Sequence, residues 1–228
     1  MDAKEALRRV NVYNLSFKLL DRVMNGSLFN DPYSIYRADP SPSVDAAWDR
    51  IAYSPIHAIS HTDILAMGKD PAYSVRFPEH WGYGTDKYMG IINGQHLLHC
   101  VNMLRKYAHY DYYFLDQWGP MSKMPPKHAA HRSHCIGAIA DALRCQMSVE
   151  MHTYVWMEGQ EQAPFPDFNV KRKCMDHEVL LDWQNRTAVP WKLGNDLAFE
   201  APADATWVEG YWQTKALKGW VPNGSFPQ

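Results

Sequence analysis

No run of about 18 consecutive apolar residues, the length that crosses a membrane, occurs in this sequence of 228 residues. The charged N-terminus, residues 1–5, has no apolar segment of the kind found in signal peptides. We therefore expect a soluble chain with no visible anchor. Positive charge is also lacking, because the formal net charge is −2 at pH 7. That balance excludes bulk electrostatic attraction to nucleic acid, and no nucleic-acid partner is expected.

Cysteine is scarce as well, with four residues in the chain. Their even number favours disulfides in an oxidising compartment, and ligands or free thiols in the cytosol. The candidate pairs are Cys100 with Cys135, which would join two helices, and Cys145 with Cys174. The sequence leaves both roles, ligand and disulfide, open.

Histidine is rare too, with 11 residues, yet two segments repeat one five-residue motif. Residues 96–100 read HLLHC and residues 131–135 read HRSHC, so both fit H-x-x-H-C. Residues three apart on a helix are neighbours, and the two histidines of each motif can point at a common centre. Imidazole and thiol bind soft and borderline transition metals. The predicted metal ligands and catalytic groups are the four motif histidines, His96, His99, His131 and His134.

The motifs contain no carboxylate, and this absence excludes several kinds of metal site. A zinc-protease centre would lack the general-base Glu of H-E-x-x-H. An iron site of two histidines and one carboxylate is also excluded, and magnesium, calcium or manganese would prefer oxygen ligands. Copper or zinc fits better, either as one ion on four imidazoles or as two ions with open positions. His128, three residues before the second motif, is a candidate extra ligand.

Hydrophobic periodicity and helix-capping signals predict mostly helices. The two longest are expected over residues 94–107, extending at most to 114, and over 128–151, and each carries one motif in its first turns. Further helices are expected over residues 4–24, from Ser43, after the S-x-x-D capping box at 60–63, and over 174–185. One short strand is expected near residues 73–77.

The predicted fold is a mainly α single domain of several helices with long irregular aromatic-rich loops, in which the two motif helices lie side by side. Residues 43–186 form the motif-bearing core, residues 1–42 an N-terminal helix and linker, and residues 187–228 an irregular C-terminal wrap. Aromatic residues more often pack in a core than line a site. As walls of a pocket for a small-molecule or peptide-derived substrate, the candidates are Tyr88, Tyr112, Tyr113 and Trp156. A homo-oligomer is an open alternative to a monomer.

A wider pattern around the motifs resembles the UstYa-like family of fungal oxidases. The first motif continues with Asn102, Arg105, Lys106 and the pair Tyr112-Tyr113, and the second is followed by Cys145. The segments 44–48 and 174–183 are also similar to this family, and the likeness extends over residues 43–186. Ser133 and Ala140 depart from the family pattern, which commonly has an acidic residue and an arginine at these positions.

The resemblance implies copper as the cofactor, as one or two ions, with O2 as co-substrate. It implies an oxidoreductase that functionalises an unactivated C–H bond of a fungal secondary-metabolite intermediate, by hydroxylation, halogenation or oxidative cyclisation. Members usually carry an N-terminal membrane anchor, with the domain in the lumen of the secretory pathway. A lumenal location is therefore implied.

Two other functions are compatible with the same residues. A non-redox cyclase would use the histidines as acid–base groups, and its activity would survive in anaerobic, metal-stripped protein. A zinc-stabilised interaction module would contain stoichiometric zinc, unfold on chelation and consume no oxygen.

Overall fold

A computed structural model describes Leu15 and residues 18–28, 34–159, 162–190 and 204–207. Helices predominate among these residues, and the strands are short and pair two by two. The fold is therefore mainly helical with small sheets, as the periodicity predicts. No helix in these ranges is both long and apolar enough to cross a membrane.

The chain divides into two compact units. The first comprises Met1–Leu15, Pro55–Gly90 and Asn185–Gln228, and the second comprises Ser16–Ser54 and Ile91–Gln184. The organisation as one domain over residues 1–228 stays a prediction. Most of the expected C-terminal wrap, residues 187–228, lies outside the described residues.

The first unit contains an antiparallel strand pair and a short helix. Strands β2 (His57–Ser60) and β3 (Lys87–Gly90) place Ile59 opposite Tyr88. Helix α2 (His61–Ala66) begins with the predicted capping box, in which the Ser60 hydroxyl and the Asp63 carboxylate each accept a hydrogen bond from the other residue's backbone N–H. Ile59, Tyr88 and Ile64 of α2 form the buried core here.

The segment near residues 73–77 does not form the expected strand, but residues 75–77 pair with β3 through a single antiparallel bridge. Pro71–Tyr73 form a 3₁₀ turn, which Asp70 caps by accepting a hydrogen bond from the backbone N–H of Ala72 at 2.9 Å. Arg76 forms an isolated bridge with Tyr88, and backbone hydrogen bonds from Phe77 to Lys87 and from Met89 to Val75, each 2.9 Å long, flank it. The strand of this region is β3, further along the chain, because Lys87–Gly90 pair with β2.

In the second unit, helix α1 (Pro42–Ala52) begins close to the predicted start. The Ser41 side chain accepts a hydrogen bond from the backbone N–H of Val44, and Pro42 occupies the first turn. Val44, Trp48 and Ala52 are buried at intervals of four residues. This spacing gives α1 a single buried face.

The two motif helices belong to the second unit. Helix α3 spans Asn93–Ala108 and is followed by the one-turn helices α4 (Tyr110–Tyr113) and α5 (Leu115–Trp118). Helix α6 spans Pro126–Cys145 and ends before the predicted residue 151. Helix α7 spans His177–Thr187. The ranges of α3, α4, α6 and α7 overlap the predicted helical segments, whereas α5 lies beyond the predicted limit of residue 114. Helix α6 begins with proline, which is well suited to a first helical turn.

A two-stranded ribbon replaces part of the predicted N-terminal helix. Strand β1 (Leu19–Met24) pairs antiparallel with β6 (Val170–Met175), with Leu19 opposite Met175 and Met24 opposite Val170. The helix expected over 4–24 is therefore wrong for 19–24, since pairing with a distant strand overrides the local pattern; residues 1–14 lie outside the described residues. A second small pair joins β4 (Thr153–Val155) to β5 (Phe165–Asp167).

Candidate metal centre

Four imidazoles from α3 and α6 lie together in the second unit. The ring centres of His96 and His134 are 5.4 Å apart, and those of His99 and His131 are 5.5 Å apart. The first histidine of one motif therefore faces the second histidine of the other, so the two helices run antiparallel here. We call these four residues the histidine cluster.

Within each motif the rings are further apart. The ring centres of His96 and His99 are separated by 6.3 Å, and those of His131 and His134 by 6.5 Å. The rings of each motif are also nearly parallel, at 21° and 20°. The closest imidazole pairs thus lie across the two helices, whereas the spacing of the motifs suggested convergence within each motif.

Bonding distances decide which pairs can share an ion. A ring nitrogen binds a borderline metal ion at about 2.0 Å, which puts the ring centre about 3.2 Å from the ion, so two ring centres on one ion are at most about 6.4 Å apart. The ring centres of each cross-helix pair are closer together than this limit. Two such rings could therefore bind one ion with a bent nitrogen–metal–nitrogen angle. The pairs within each motif are at the limit, and a single ion equidistant from all four rings would require the cluster to contract by about 1 Å.

Burial favours the neutral form of three histidines of the cluster. Burial lowers the pKa of His96, His99 and His131, and repulsion from neighbouring imidazoles lowers it further. The first turns of α3 and α6 contain no acidic residue that would oppose this effect. Neutral imidazole is the form that binds metal, so the donor set fits copper or zinc.

Two buried thiols lie beside the cluster. Cys100 and Cys135 are fully buried. Burial, reinforced by the nearby Cys100 side chain, raises the pKa of Cys135 well above its usual value. The Cys100 Sγ atom lies 3.9 Å from Nε2 of His96. Ligand atoms of His96, Cys100 and His134 all lie within 4.8 Å of one another.

The predicted disulfides are not formed in the structure. All four cysteines are free thiols. Cys100 and Cys135 are buried, whereas Cys145 is exposed and Cys174 is half-buried.

Gln95 anchors the first turn of α3, next to His96. Its buried side chain donates from Nε2 to the carbonyls of Ile51 and Tyr53, at 3.3 and 3.2 Å. Its Oε1 accepts a hydrogen bond from Nε2 of His177, at 2.9 Å. The N-cap residue of α3 makes no side-chain hydrogen bond, so Gln95 provides the side-chain hydrogen bonds described for this turn. No motif in the sequence marked this residue.

An ion pair joins α3 to α1 further along. Arg105 lies 2.6 Å from the Asp45 carboxylate and donates to the Tyr113 hydroxyl at 2.7 Å, while that hydroxyl donates to Asp45 at 2.6 Å. Burial alone would raise the pKa of Asp45, but the hydrogen bonds from Tyr113 and Arg105 lower it overall. Burial and the bond to Asp45 raise the pKa of Tyr113 to about 12.

The predicted pocket aromatics occupy different surroundings. Tyr88 is buried in the first unit, with its hydroxyl 3.3 Å from both His61 and Arg76. The Tyr113 hydroxyl is engaged by Arg105 and Asp45, as described above. Tyr112 and Trp156 are exposed, by 57% and 75%. Their role in a substrate pocket stays a prediction.

The optional fifth ligand, His128, packs on an aromatic ring. Its ring centre lies 4.1 Å from that of Trp118, and its Nδ1 lies 3.4 Å from the Tyr107 hydroxyl. These contacts give His128 a packing role at the start of α6.

Comparisons with known proteins agree with the resemblance. The profile of the family described as "Mycotoxin biosynthesis protein UstYa" matches residues 10–187. The chain is 38% identical over 174 residues to the UstYa family oxidase aprY of Aspergillus flavus, covering 74% of this chain and 52% of that protein. It is 26% identical over 157 residues to the UstYa family oxidase phomYc of Diaporthe leptostromiformis, covering 68% of this chain and 60% of that protein.

The chain thus spans between half and two thirds of the length of these relatives. No solved structure matches it. Because the family profile covers more than half of the chain, including both H-x-x-H-C motifs, this protein belongs to the UstYa family.

Proposed function

We propose that this protein is a copper-dependent oxidase that acts in the biosynthesis of a fungal secondary metabolite, and that its histidine cluster holds two copper ions. The observation that supports this most strongly is the approach of two imidazoles from α3 to two from α6, at 5.4 and 5.5 Å between ring centres. The relatives named as UstYa family oxidases support the oxidase class.

Each ion is assigned to one cross-helix pair. His96 and His134 hold one ion, and His99 and His131 hold the other. Two imidazoles do not complete a coordination sphere, so each ion keeps positions for other ligands. Bound copper supplies a one-electron redox centre that can activate dioxygen. The imidazoles fix the ions between two helices, and burial keeps His96, His99 and His131 in the neutral, binding form.

The substrate reaches the cluster from its open side. His134 is exposed, whereas His96, His99 and His131 are half-buried, so the solvent-facing corner of the cluster is at His134. We assign the reaction to oxidation of an unactivated C–H bond in a small-molecule or peptide-derived intermediate, by hydroxylation, halogenation or oxidative cyclisation. The lumen of the secretory pathway is the proposed location.

Metal reconstitution with redox measurements tests this function. Purified protein loaded with copper is expected to show nitrogen coupling from imidazole in its electron paramagnetic resonance spectrum and to consume O2 when a reductant is supplied. His99→Ala and His131→Ala should each reduce both signals. His80→Ala is a matched control, because His80 is an exposed histidine of the first unit and should leave both signals unchanged.

The rival functions give different results in the same experiment. Stoichiometric zinc in native protein, unfolding on chelation and no O2 consumption would identify a zinc-stabilised module. Turnover of a biosynthetic intermediate by anaerobic, metal-stripped protein would identify a non-redox cyclase.

A further inference from the structure

We propose that Asn25 is an acceptor site for an N-linked glycan, which is added as the chain enters the lumen of the secretory pathway. The inference rests on the lumenal location given above as part of the proposed function. It starts from the N-x-S/T sequon, the tripeptide that receives N-linked sugar in secreted proteins. Four of the ten asparagines stand in such a sequon, namely Asn14, Asn25, Asn185 and Asn223.

Two of these four sites lie in the part of the chain that the structure describes. Asn25 directly follows β1, and both Asn25 and Ser27, the third residue of its sequon, are exposed. Asn185 is also exposed, but it lies in the last turn of α7. Asn14 and Asn223 lie outside the described residues. The two described sites therefore differ in backbone conformation rather than in exposure.

The sequon of Asn25 forms a turn within its own three residues. Oδ1 of Asn25 accepts a hydrogen bond from the backbone N–H of Ser27 at 3.1 Å. An Asx turn of this kind needs no distant part of the chain, so it can form before the protein folds. In the helix of Asn185, side chains two residues apart do not face each other, and the Thr187 hydroxyl lies 3.2 Å from Nδ1 of His57. The local geometry therefore favours Asn25.

The surroundings of the turn hold its backbone and leave the Asn25 side chain exposed. The backbone N–H of Gly26 donates to Oδ1 of Asn169 at 3.1 Å. A β-carbon at Gly26 would collide with the backbone of Phe168, so the middle residue of the sequon has to be glycine. Because the close contacts are made by Gly26, a large group on Asn25 can extend into solvent without displacing them.

A glycan at this position has a physical role at the strand edge. Within the described residues, β1 pairs with β6 alone, so its other edge has no strand partner there. Val23, Met24 and Leu28, on either side of the sequon, are exposed by 69%, 46% and 61%. Exposed apolar edges favour pairing between copies of a chain. A bulky, hydrophilic glycan at the end of β1 would hinder that pairing.

The group transfer is a substitution at a sugar carbon. The donor is an oligosaccharide linked to a lipid through a diphosphate, and a transferase of the lumen catalyses the reaction. Nδ2 of Asn25 forms a bond to C1 of the first sugar, while the bond from that carbon to the diphosphate oxygen breaks. The lipid diphosphate leaves, the amide nitrogen loses one proton, and no atom is oxidised or reduced.

Peptide mapping of secreted protein tests the site directly. The full chain is expressed behind a cleavable signal peptide and purified from the medium. It is then treated, in water enriched in heavy oxygen, with an amidase that removes N-linked glycans and converts each modified asparagine to labelled aspartate. A parallel sample without the amidase corrects for spontaneous deamidation, to which an Asn-Gly sequence is prone. Label at Asn25 is expected, and an unlabelled Asn25 in the secreted chain would overturn the proposal.

Variants separate the effect of the sugar from that of the sequence change. Asn25→Gln and Ser27→Ala should each lower the mass of the secreted protein by that of one glycan and increase its self-association in light scattering. Ser27→Thr is the matched control, because it keeps the sequon and should retain the glycan. Equal masses of wild type and Asn25→Gln would contradict the site, and unchanged self-association would contradict its role at the strand edge.

A failure of this inference is distinguishable from a failure of the proposed function. The signal peptide imposes entry into the lumen, so the result at Asn25 does not depend on the native location. Sugar on the secreted protein but not on protein isolated from its source fungus would contradict the lumenal location and support the acceptor site. Sugar at Asn25 without copper binding would contradict the proposed oxidase alone.

Discussion

At the scale of residues, the histidine cluster is half-buried except at His134, which is exposed to solvent. His96, His99 and His131 are half-buried, and burial lowers the pKa of each below the ordinary histidine value of about 6.5. A buried imidazole resists protonation because the charged form loses its hydration. Burial therefore favours the neutral, metal-binding form of these three imidazoles.

This charge state predicts the pH dependence of copper binding. Affinity should be nearly constant from pH 8 to about pH 6.5 and should fall at lower pH, because protons then compete for the imidazoles. When both histidines of a pair are protonated, the fall approaches about 100-fold per pH unit. Competition titrations with a chelator of known pH dependence measure it. Unchanged affinity between pH 8 and pH 5 would rule out imidazole ligands.

The histidines of the cluster could be predicted from the sequence, whereas the residues that surround them could not. Rare residues in a repeated pattern identify His96 and His134 as candidates without any knowledge of the fold. Gln95 gives no such signal, because its partners Ile51 and Tyr53 are distant along the chain and its type is common in helices. The pairing of imidazoles across helices also depends on the antiparallel packing of α3 and α6, which the motif spacing alone does not fix.

At the scale of elements, α3 is held by two separate attachments to α1. Gln95 caps the carbonyls at the end of α1, and Arg105 pairs with Asp45 near its start. Because the attachments lie on either side of the motif histidines of α3, they fix the direction in which His96 and His99 point. The Arg105 side chain is only 9% exposed, so it depends on its carboxylate partner.

Asp45→Asn should therefore destabilise the protein by about 2 kcal/mol at pH 7, since it leaves a buried guanidinium without its charged partner. The loss is measured by urea unfolding. Because the folded pKa of Asp45 is lowered, its contribution to wild-type stability is present above about pH 4 and disappears as the pH falls through the folded value.

A second ion pair provides the control for this variant. Arg50 and Glu178 also form an ion pair, but both side chains are more than half exposed. Glu178→Gln should leave stability unchanged within error, because solvent screens exposed pairs. An equal effect of the two substitutions would show that the Asp45 pair contributes no more than a surface ion pair.

The elements that the sequence predicted well are those specified by local signals. The Ser60–Asp63 capping box and the proline at the start of α6 each define a helix boundary within a few residues. Strand β1 was missed because its stabilising partner, β6, lies about 150 residues away and both strands are largely exposed. Apolar side chains of α6 are also exposed, with Ile136 and Leu143 exposed by 56% and 65%, so burial alone does not identify this helix.

At the scale of the whole molecule, metal binding should stabilise the fold. The cluster joins two helices of the second unit, and an ion bound only by the folded form adds to the free energy of unfolding. With free copper at 100 times the dissociation constant, the Tm should rise by roughly 5–10 °C, as measured by differential scanning fluorimetry. A Tm that does not respond to copper in wild-type protein would contradict a site formed by folding.

The central claim is that copper is held by imidazole pairs across α3 and α6, and copper stoichiometry in paired variants tests it most directly. Wild-type protein should bind two ions per chain. His96→Ala/His134→Ala should retain one, because the pair His99 and His131 remains whole, whereas His96→Ala/His99→Ala should retain none, because each remaining pair has lost one ring. The opposite order, with one ion kept by His96→Ala/His99→Ala and none by His96→Ala/His134→Ala, would contradict the account.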